Sequence, residues 1–355
     1  MPAALQNYQP AAEPIFFPSY ELERPMLLEK PTDVPGAQIA YNPSGIWTIP
    51  SKEPGSGSDI LYVRVEPDRS NPGTSHLGKS VARPYKVDLS KARPVLKPFS
   101  EAPTIRGEDP SLTRIRRRLP VSGKLEDVWL LSVVDPRPEP DHPDRVRTLC
   151  TRFYVGRALY NLEHVTDGPE WMKDIRIAPD YDPESSEIHV YGRPQPQSFS
   201  GNITYTKISG IEELNAETIA VAPFIDEELL PIGSGVWGGV NDVIPVAPAR
   251  NILASHRAWC VDETGNRITK PDSGNSRMRH YEGVLYGHDL QRGTIRELGL
   301  VITAGMFPPG KVKDDAALDL RDVHFTGGGY NGAISHLTSG LSDGNIGFSK
   351  LRLTG

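Results

Sequence analysis

Cysteine is nearly absent: the chain has two in 355 residues, Cys150 and Cys260. At most one internal bridge can form, which excludes a disulfide-stapled scaffold. With no Cys-x-x-Cys spacing and no His-x-x-x-His pair in a helical pattern, no metal site is expected. Long apolar runs are missing as well. No stretch approaches the roughly 18 apolar residues of a membrane span, and the first twenty residues lack the basic and apolar regions of a secretory signal. There is no surplus of positive charge either: 39 Lys and Arg stand against 45 Asp and Glu, a formal net charge of −6. That argues against a protein built to grip a phosphate backbone. These absences lead to the expectation of a cytoplasmic protein with neither a nucleic-acid nor a membrane partner.

Helical periodicity is scarce too. Gly (33) and Pro (34) interrupt the chain so often that long helices are ruled out and short strands joined by turns are favoured. Strand-like bursts recur at Ile60–Val65, Val128–Val134, Thr151–Val155, Glu187–Tyr191, Asn202–Thr206, Gly283–Tyr286 and Val323–Thr326. One short helical stretch is expected near Ile211–Leu214. Residues 1–35, rich in Pro and Glu, read as an extended arm, and residues 36–355 as one domain. An all-β chain of this length must protect its sheet edges, and a propeller does so by radial repetition. A polar residue set among small turn residues before an apolar strand recurs at Tyr41-Asn42-Pro43, Gly107-Glu108-Asp109-Pro110, Gly235–Gly239, His280–Gly283 and Arg321-Asp322-Val323. The spacing, about 70 residues, exceeds that of a 40–45-residue WD-type blade and fits five blades with long insertions.

Several groups of residues can carry chemistry. In Glu108-Asp109-Pro110 the proline disfavours helix at Asp109, so the carboxylate is expected on an extended or turn backbone, with Glu108 turned to the opposite side by alternation. Arg64 and Glu66 share one face of a strand. Arg193 leaves a strand end beside a stiff Pro turn. Trp237-Gly238-Gly239-Val240-Asn241-Asp242 sets a flat aromatic beside polar side chains, a mixture that suits sugar recognition. Glu282, Asp322 and His324 lie beside the later strands, and paired carboxylates are what glycoside cleavage requires. Two signals are set aside. The glycine run Gly327–Gly332 is too near the end of the chain to open a dinucleotide-binding unit and reads as a blade turn. Arg114, Arg116, Arg117 and Arg118 read as a solvated face.

Taken in order, Asn42-Pro43, Leu61–Val65, Ser75-His76-Leu77, Glu108-Asp109-Pro110, Arg193-Pro194, Tyr281–Tyr286, Asp322–Phe325 and Leu341–Phe348 resemble the five-bladed β-propellers of glycoside hydrolase family 130. The details around Arg64-Val65-Glu66 and Trp237–Asn241 are similar to an uncharacterised offshoot of that family. The resemblance spans roughly residues 40 to 350. It implies an all-β five-bladed propeller whose central funnel holds a small carbohydrate, with Asp109 as general acid and Arg64 holding the sugar. The family inverts β-mannosides, using water or inorganic phosphate as the attacking group. The chain departs from its pattern at Ser111, where the family usually carries Arg, so hydrolysis is preferred over phosphorolysis. The expectations are therefore catalytic Asp109, Glu282 and Asp322; substrate contacts from Asn42, Arg64, Glu66, Arg193, Trp237, Asn241, Asp242 and His324; and no cofactor beyond phosphate as a co-substrate. A raised pKa at Asp109 would go with the acid role. A carbohydrate-binding propeller without catalysis, and a structural scaffold, are the alternatives.

Overall fold

A computed structural model describes residues 17–353 apart from 18, 32, 35–37, 51–56, 68–78, 92, 143–144, 196–201, 231–233, 263, 265, 269–277 and 311–322. Within them the chain forms five antiparallel sheets arranged as the blades of a propeller. Blade 1 runs outward through Gln38–Pro43, Gly57–Pro67, Val81–Asp88 and Val95–Pro98, with Trp47–Pro50 and Ile105–Arg106 added at its sides. Blade 2 is Glu108–Arg118, Leu125–Pro138, Val146–Gly156 and Glu163–Asp167. Blade 3 has three strands, Met172–Pro179, Ile188–Pro194 and Thr204–Ile208. Blade 4 is Val236–Ala247, Arg250–Val261, Met278–Asp289 and Thr294–Ile302, with Arg267–Ile268 beside the second. Blade 5 starts with His324–Thr326, His336–Leu341 and Asn345–Leu353, and its outermost strand is Tyr20–Leu27.

Tyr20–Leu27 lies within the stretch read from sequence as an arm. It pairs antiparallel with Asn345–Leu353, from Tyr20 opposite Leu353 to Leu27 opposite Gly347. An early segment thus completes the last blade, and the ring is fastened by backbone hydrogen bonds. Phe17 extends the fastening: its ring lies where a Cβ on Gly287 of blade 4 would clash at 2.7 Å, so only glycine fits there.

The apolar side chains explain why the blades stack. Five of the six hydrophobic clusters each bridge two neighbouring blades. Ile60 and Tyr62 meet Leu112 and Leu131 between blades 1 and 2, and Leu130 and Phe153 meet Ile175 and Val190 between blades 2 and 3. Tyr191 meets Leu253 and Val284 between blades 3 and 4, Ile252 and Leu285 meet Leu337 between blades 4 and 5, and Phe348 meets Leu61 and Val63 between blades 5 and 1. Both faces of second strands such as Gly57–Pro67 and Leu125–Pro138 are therefore buried along their middle, which is why these strands read as continuous apolar runs rather than alternating ones. Each buried large apolar side chain contributes about 1.5–3 kcal/mol.

Two blade boundaries differ from those expected. His280–Gly283 opens no blade; it lies in Met278–Asp289, the third strand of blade 4. The inner strand of blade 3, Met172–Pro179, has no counterpart among the expected starts. The expected helical stretch is a 3-10 turn at Ile211–Glu213, followed by a short helix, Ala216–Ala220, capped by the Asn215 side chain on Thr218 N. Both cysteines are buried and free. Among the described residues no helix is long and apolar enough to cross a membrane.

Candidate active site

Four inner strands repeat one local device. Each carries a β-bulge, at Tyr41/Pro43, Glu108/Ser111, Lys173/Arg176 and Val240/Asp242. The residues within or beside them, Asn42, Asp109, Asp174 and Asn241, stand 67, 65 and 67 residues apart. Asn42, Asp109 and Asp174 have positive φ, 45°, 46° and 50°. Asn and Asp tolerate this left-handed backbone better than most residues. A bulge turns one side chain out of the pleat, and here it turns amides and carboxylates toward their counterparts on neighbouring blades.

Arg64 is the hub of the resulting cluster. Its Nη1 lies 3.1 Å from Asp109 Oδ1, its Nη2 lies 2.9 Å from Glu108 Oε1, and its Nε donates to Glu66 Oε2 at 2.9 Å. Ser80 Oγ also donates to Glu66 Oε2, at 2.8 Å, and Asn42 Nδ2 donates to Asp109 Oδ1 at 2.8 Å. The guanidinium also stacks on Tyr41, 4.9 Å from the ring centre. Arg64 and Glu66 share a face, as alternation requires. Glu108 and Asp109 do not diverge as expected: the bulge and the positive φ bring both carboxylates onto the same guanidinium.

The electrostatics of that pair are a second correction. Burial acts to raise Asp109, but Arg64, with Lys173 and the Asn42 hydrogen bond, outweighs it and holds the carboxyl below its usual value. The upward shift expected for a free-standing acid is not found. Burial does raise Glu108, and Arg64 and Lys173 offset it only in part. Two adjacent carboxyls are thus pushed apart in proton affinity across one arginine, an arrangement that separates acid from base roles.

Blades 3 and 4 supply the next layer. Arg193 Nε donates to Asp174 Oδ2 at 2.6 Å. Gly239 lies so close that a Cβ there would sit 2.7 Å from that oxygen, so the glycine makes room for the ion pair. Burial opposes ionisation of Asp174, yet Arg193, His256 and Arg176 hold it well below the carboxylate range. Arg176, 1% exposed, donates from Nε to Asn241 O at 3.0 Å and from Nη2 to Asp109 O at 3.4 Å, tying three inner strands together across the axis. Asn241 Oδ1 meets His256 Nδ1 at 3.0 Å, and burial pushes that imidazole down to about 4, so it is neutral. Lys173 Nζ reaches within 3.9 Å of Glu108.

Of the residues expected from sequence, Asn42, Arg64, Glu66 and Asp109 form one hydrogen-bonded group, and Arg193 and Asn241 join it through Asp174 and Arg176. Asp242 stands apart. It accepts from Gly329 N and Val243 N, at 2.8 and 2.9 Å, and burial raises it to about 6. The glycine run is the seam this clamps: a Cβ on Gly328 would meet Gly45 and Asp242. His324, fully buried, meets Ser339 Oγ at 3.0 Å and stacks on Phe307. Trp237 packs edge-on to Tyr281, 5.7 Å between centres, in a cluster with Ala258 and Cys260. Glu282 is ion-paired to Arg257, which also holds Glu297. Asp322 and Ser75–Leu77 lie outside the described residues. Asp174, Arg176, Lys173 and His256 were not singled out from sequence; the recurrence of Asn or Asp at intervals of 65–67 residues is the signal that could have found Asp174, and nothing local pointed to the others.

The fold is a five-bladed β-propeller with a polar, carboxylate-bearing axis. The chain belongs to the family described as "Protein of unknown function (DUF1861)", which it matches over residues 97–351. No curated protein matches it. Among solved structures it is similar to a mannose phosphorylase from Leishmania mexicana in complex with phosphate ion, at 20% identity and TM-score 0.69, covering 93% of this chain and 88% of that one. It is also similar to a GDP-Man-dependent mannosyltransferase from the same organism, at 20% identity and TM-score 0.67, with 94% and 89% covered. A hypothetical protein from Leishmania major aligns at 20% identity and TM-score 0.65, covering 94% of each chain. At that identity the likeness is one of fold.

Proposed function

We propose that the protein is a carbohydrate-active enzyme that cleaves a small glycoside in the axial funnel, with the Arg64-clamped Glu108–Asp109 pair at its centre. The observation that carries this reading is one buried arginine holding two adjacent carboxyls whose proton affinities are pushed in opposite directions. Asp109, ionised, accepts a hydrogen bond from a sugar hydroxyl and fixes the ring. A proton reaches the leaving oxygen from the carboxyl pair, either directly or through that hydroxyl. When a ligand occupies the funnel and takes over one donor of Arg64, Asp109 loses part of the attraction that keeps it ionised, and its affinity for a proton rises.

Inverting hydrolysis needs a second carboxylate as base, about 6.5–9.5 Å from the acid. Glu282 is engaged by Arg257 and hydrogen-bonds to no member of the Arg64 group. That favours a second reading, in which phosphate attacks and no base is needed. Lys173 and Arg193, at 21% and 11% side-chain exposure, are the cations placed to meet it. The solved phosphorylase of like fold supports this route, and the mannosyltransferase supports sugar transfer in general. The test is a screen of mannosides, other oligosaccharides and aryl glycosides, with and without phosphate, reading free sugar and sugar 1-phosphate. Release of either supports the reading, and their ratio separates the two routes. No turnover of any glycoside would leave a binding protein.

A further inference from the structure

The funnel residues sit at the start or middle of the inner strands. At the other end of the axis, past the Arg176 plug, lies a cavity of about 310 Å³ to which every blade contributes. Trp47 comes from blade 1, Arg114 from blade 2, Tyr181 from the turn between the first two strands of blade 3, Pro245 from blade 4 and Asn331 from the turn between the first two strands of blade 5. Arg114 is five residues beyond Asp109, roughly 15 Å further along the strand. A second cavity, of about 660 Å³, opens between blades 1 and 2 and shares Arg114 and Asp127 with the first. The two adjoin at the Arg114–Asp127 pair and make a groove, divided by that pair, from the axis toward the rim.

The groove has an unusual lining. Tyr181 at its axial end is 48% exposed and Tyr160 at its rim is 74% exposed, two of the few large apolar side chains left in solvent among the described residues. Between them the half-buried Trp47 meets the buried Trp129 edge to face at 5.7 Å and donates its indole N–H to Leu112 O. Three of the four cations there are ion-paired: Arg114 with Asp127 at 2.8 Å, Lys86 with Glu101 at 3.7 Å, and Arg157 with Glu126 at 2.8 Å, the last carboxylate shared with Arg117. Arg116 donates to the backbone at Asp180 O, 2.6 Å away. Lys86, Arg114, Arg116 and Arg157 thus face the lining carboxylates Glu101, Asp127 and Asp180, and a phosphate or an acidic polymer would find little surplus charge. A chain of neutral sugar rings would find the exposed tyrosine rings to stack on and, in each ion pair, a donor and an acceptor side by side for vicinal hydroxyls.

We infer that this groove is a second carbohydrate-binding site, separate from the funnel, that holds a neutral oligosaccharide of several rings along the line from Tyr181 to Tyr160. The volume suits a ligand larger than one ring, and its separation from Asp109 makes it a holding surface rather than a reaction centre.

The experiment titrates the full-length protein with mannohexaose, cellohexaose, xylohexaose and maltohexaose, and with tripolyphosphate as an anionic control. Binding is read by calorimetry and by the fluorescence of Trp47 and Trp129. At least one hexasaccharide is expected to bind. Tyr160→Ala and Tyr181→Ala, both at exposed positions, should each raise Kd about threefold to tenfold, and Asp109→Asn should leave this binding unchanged. The inference is overturned if none of the four sugars binds. It is equally overturned if binding survives both tyrosine changes and is lost in Asp109→Asn, which would place the sugar in the funnel. Binding of tripolyphosphate that is lost in Arg114→Gln, without sugar binding, would make the groove an anion site and also overturn it.

Discussion

Arg64→Gln removes the one cation that faces Glu66, Glu108 and Asp109 together. These side chains are 0%, 7% and 10% exposed, so water cannot replace what is lost. Removing one partner of a buried ion pair costs about 3–5 kcal/mol, and with three carboxylates orphaned the upper part of that range applies. At about 2–4 °C per kcal/mol for domains of 150–250 residues, and less for a longer chain, the melting temperature should fall by about 5–10 °C at pH 8. The pH dependence carries the sign. Without Arg64, mutual repulsion and burial raise the proton affinity of the three carboxyls, so the folded variant takes up protons that the unfolded chain does not, and stability returns as pH falls toward 5. In the wild type Asp109 is depressed, so its contribution is present above the unfolded value near 3.9 and is lost only as pH drops further. The gap between variant and wild type should thus be widest at pH 8 and narrow at pH 5, read by thermal unfolding with circular dichroism at both pH values. Arg64→Gln combined with Glu108→Gln should recover part of the loss. A gap below about 2 °C, or one equal at the two pH values, would refute the view that Arg64 acts chiefly by compensating buried charge.

Three further outcomes follow from the same structure. His189, His256 and His288 are pushed by burial down to about 4 and His324 to about 3, whereas burial raises Asp226 to about 7 and Asp242 to about 6. Four imidazoles charge only on unfolding, whereas Asp226, Asp242 and the raised Glu108 take up protons when folded, so the imidazoles prevail by about one to two protons. As pH falls through 5, stability should drop by roughly 1–3 kcal/mol per pH unit, and a stability curve flat between pH 6.5 and 4.5 would contradict it. Deleting the residues through Leu27 removes the outer strand of blade 5 and opens the ring; the expected result is loss of cooperative unfolding and aggregation through the exposed edge, and a monomer with native near-ultraviolet dichroism would count against it. Gly239→Ala places a methyl 2.7 Å from the Asp174 carboxylate; turnover should drop at least tenfold with the fold retained, and an unchanged rate would show that the Asp174–Arg193 pair is peripheral.

Legibility in the sequence depended on whether a residue's role is local. Arg64-Val65-Glu66 could be read because strand alternation places both charges on one face, and the structure pairs them directly. Asp109 could be singled out because a carboxylate before proline is constrained, but its direction was read wrongly. Alternation holds only in a regular ladder, and the bulge between Glu108 and Ser111 turns both carboxyls to one side. Asp174 hid because Ile175 follows it where a proline follows Asn42 and Asp109, and only the spacing betrays it. Arg176 acts across blades, on a backbone oxygen 65 residues away, and His256 acts across a strand pair within blade 4, on a side chain 15 residues away; no local pattern encodes such contacts. Trp237 matched a sugar platform by composition, and whether it faces a ligand or the packing around Tyr281 depends on tertiary contacts. The five-bladed ring was expected from the resemblance and a loose spacing of about 70 residues, though that spacing misplaced a start at His280–Gly283 and passed over blade 3; its fastening by Tyr20–Leu27 required knowing which edge was left open.

The central claim is that the Arg64–Glu108–Asp109 cluster is the reaction centre for glycoside cleavage, and Asp109→Asn tests it most directly. The change keeps the shape and the Asn42 contact but removes the titrating carboxyl. On the unactivated glycoside that the wild type turns over best, with phosphate present and absent, the rate should fall about 10²- to 10⁴-fold, the usual share of acid–base catalysis. Thermal unfolding should stay cooperative, and the loss should be smaller on an aryl glycoside whose leaving group needs little protonation. A variant that cleaves the unactivated glycoside at the wild-type rate would place the chemistry elsewhere and contradict the account.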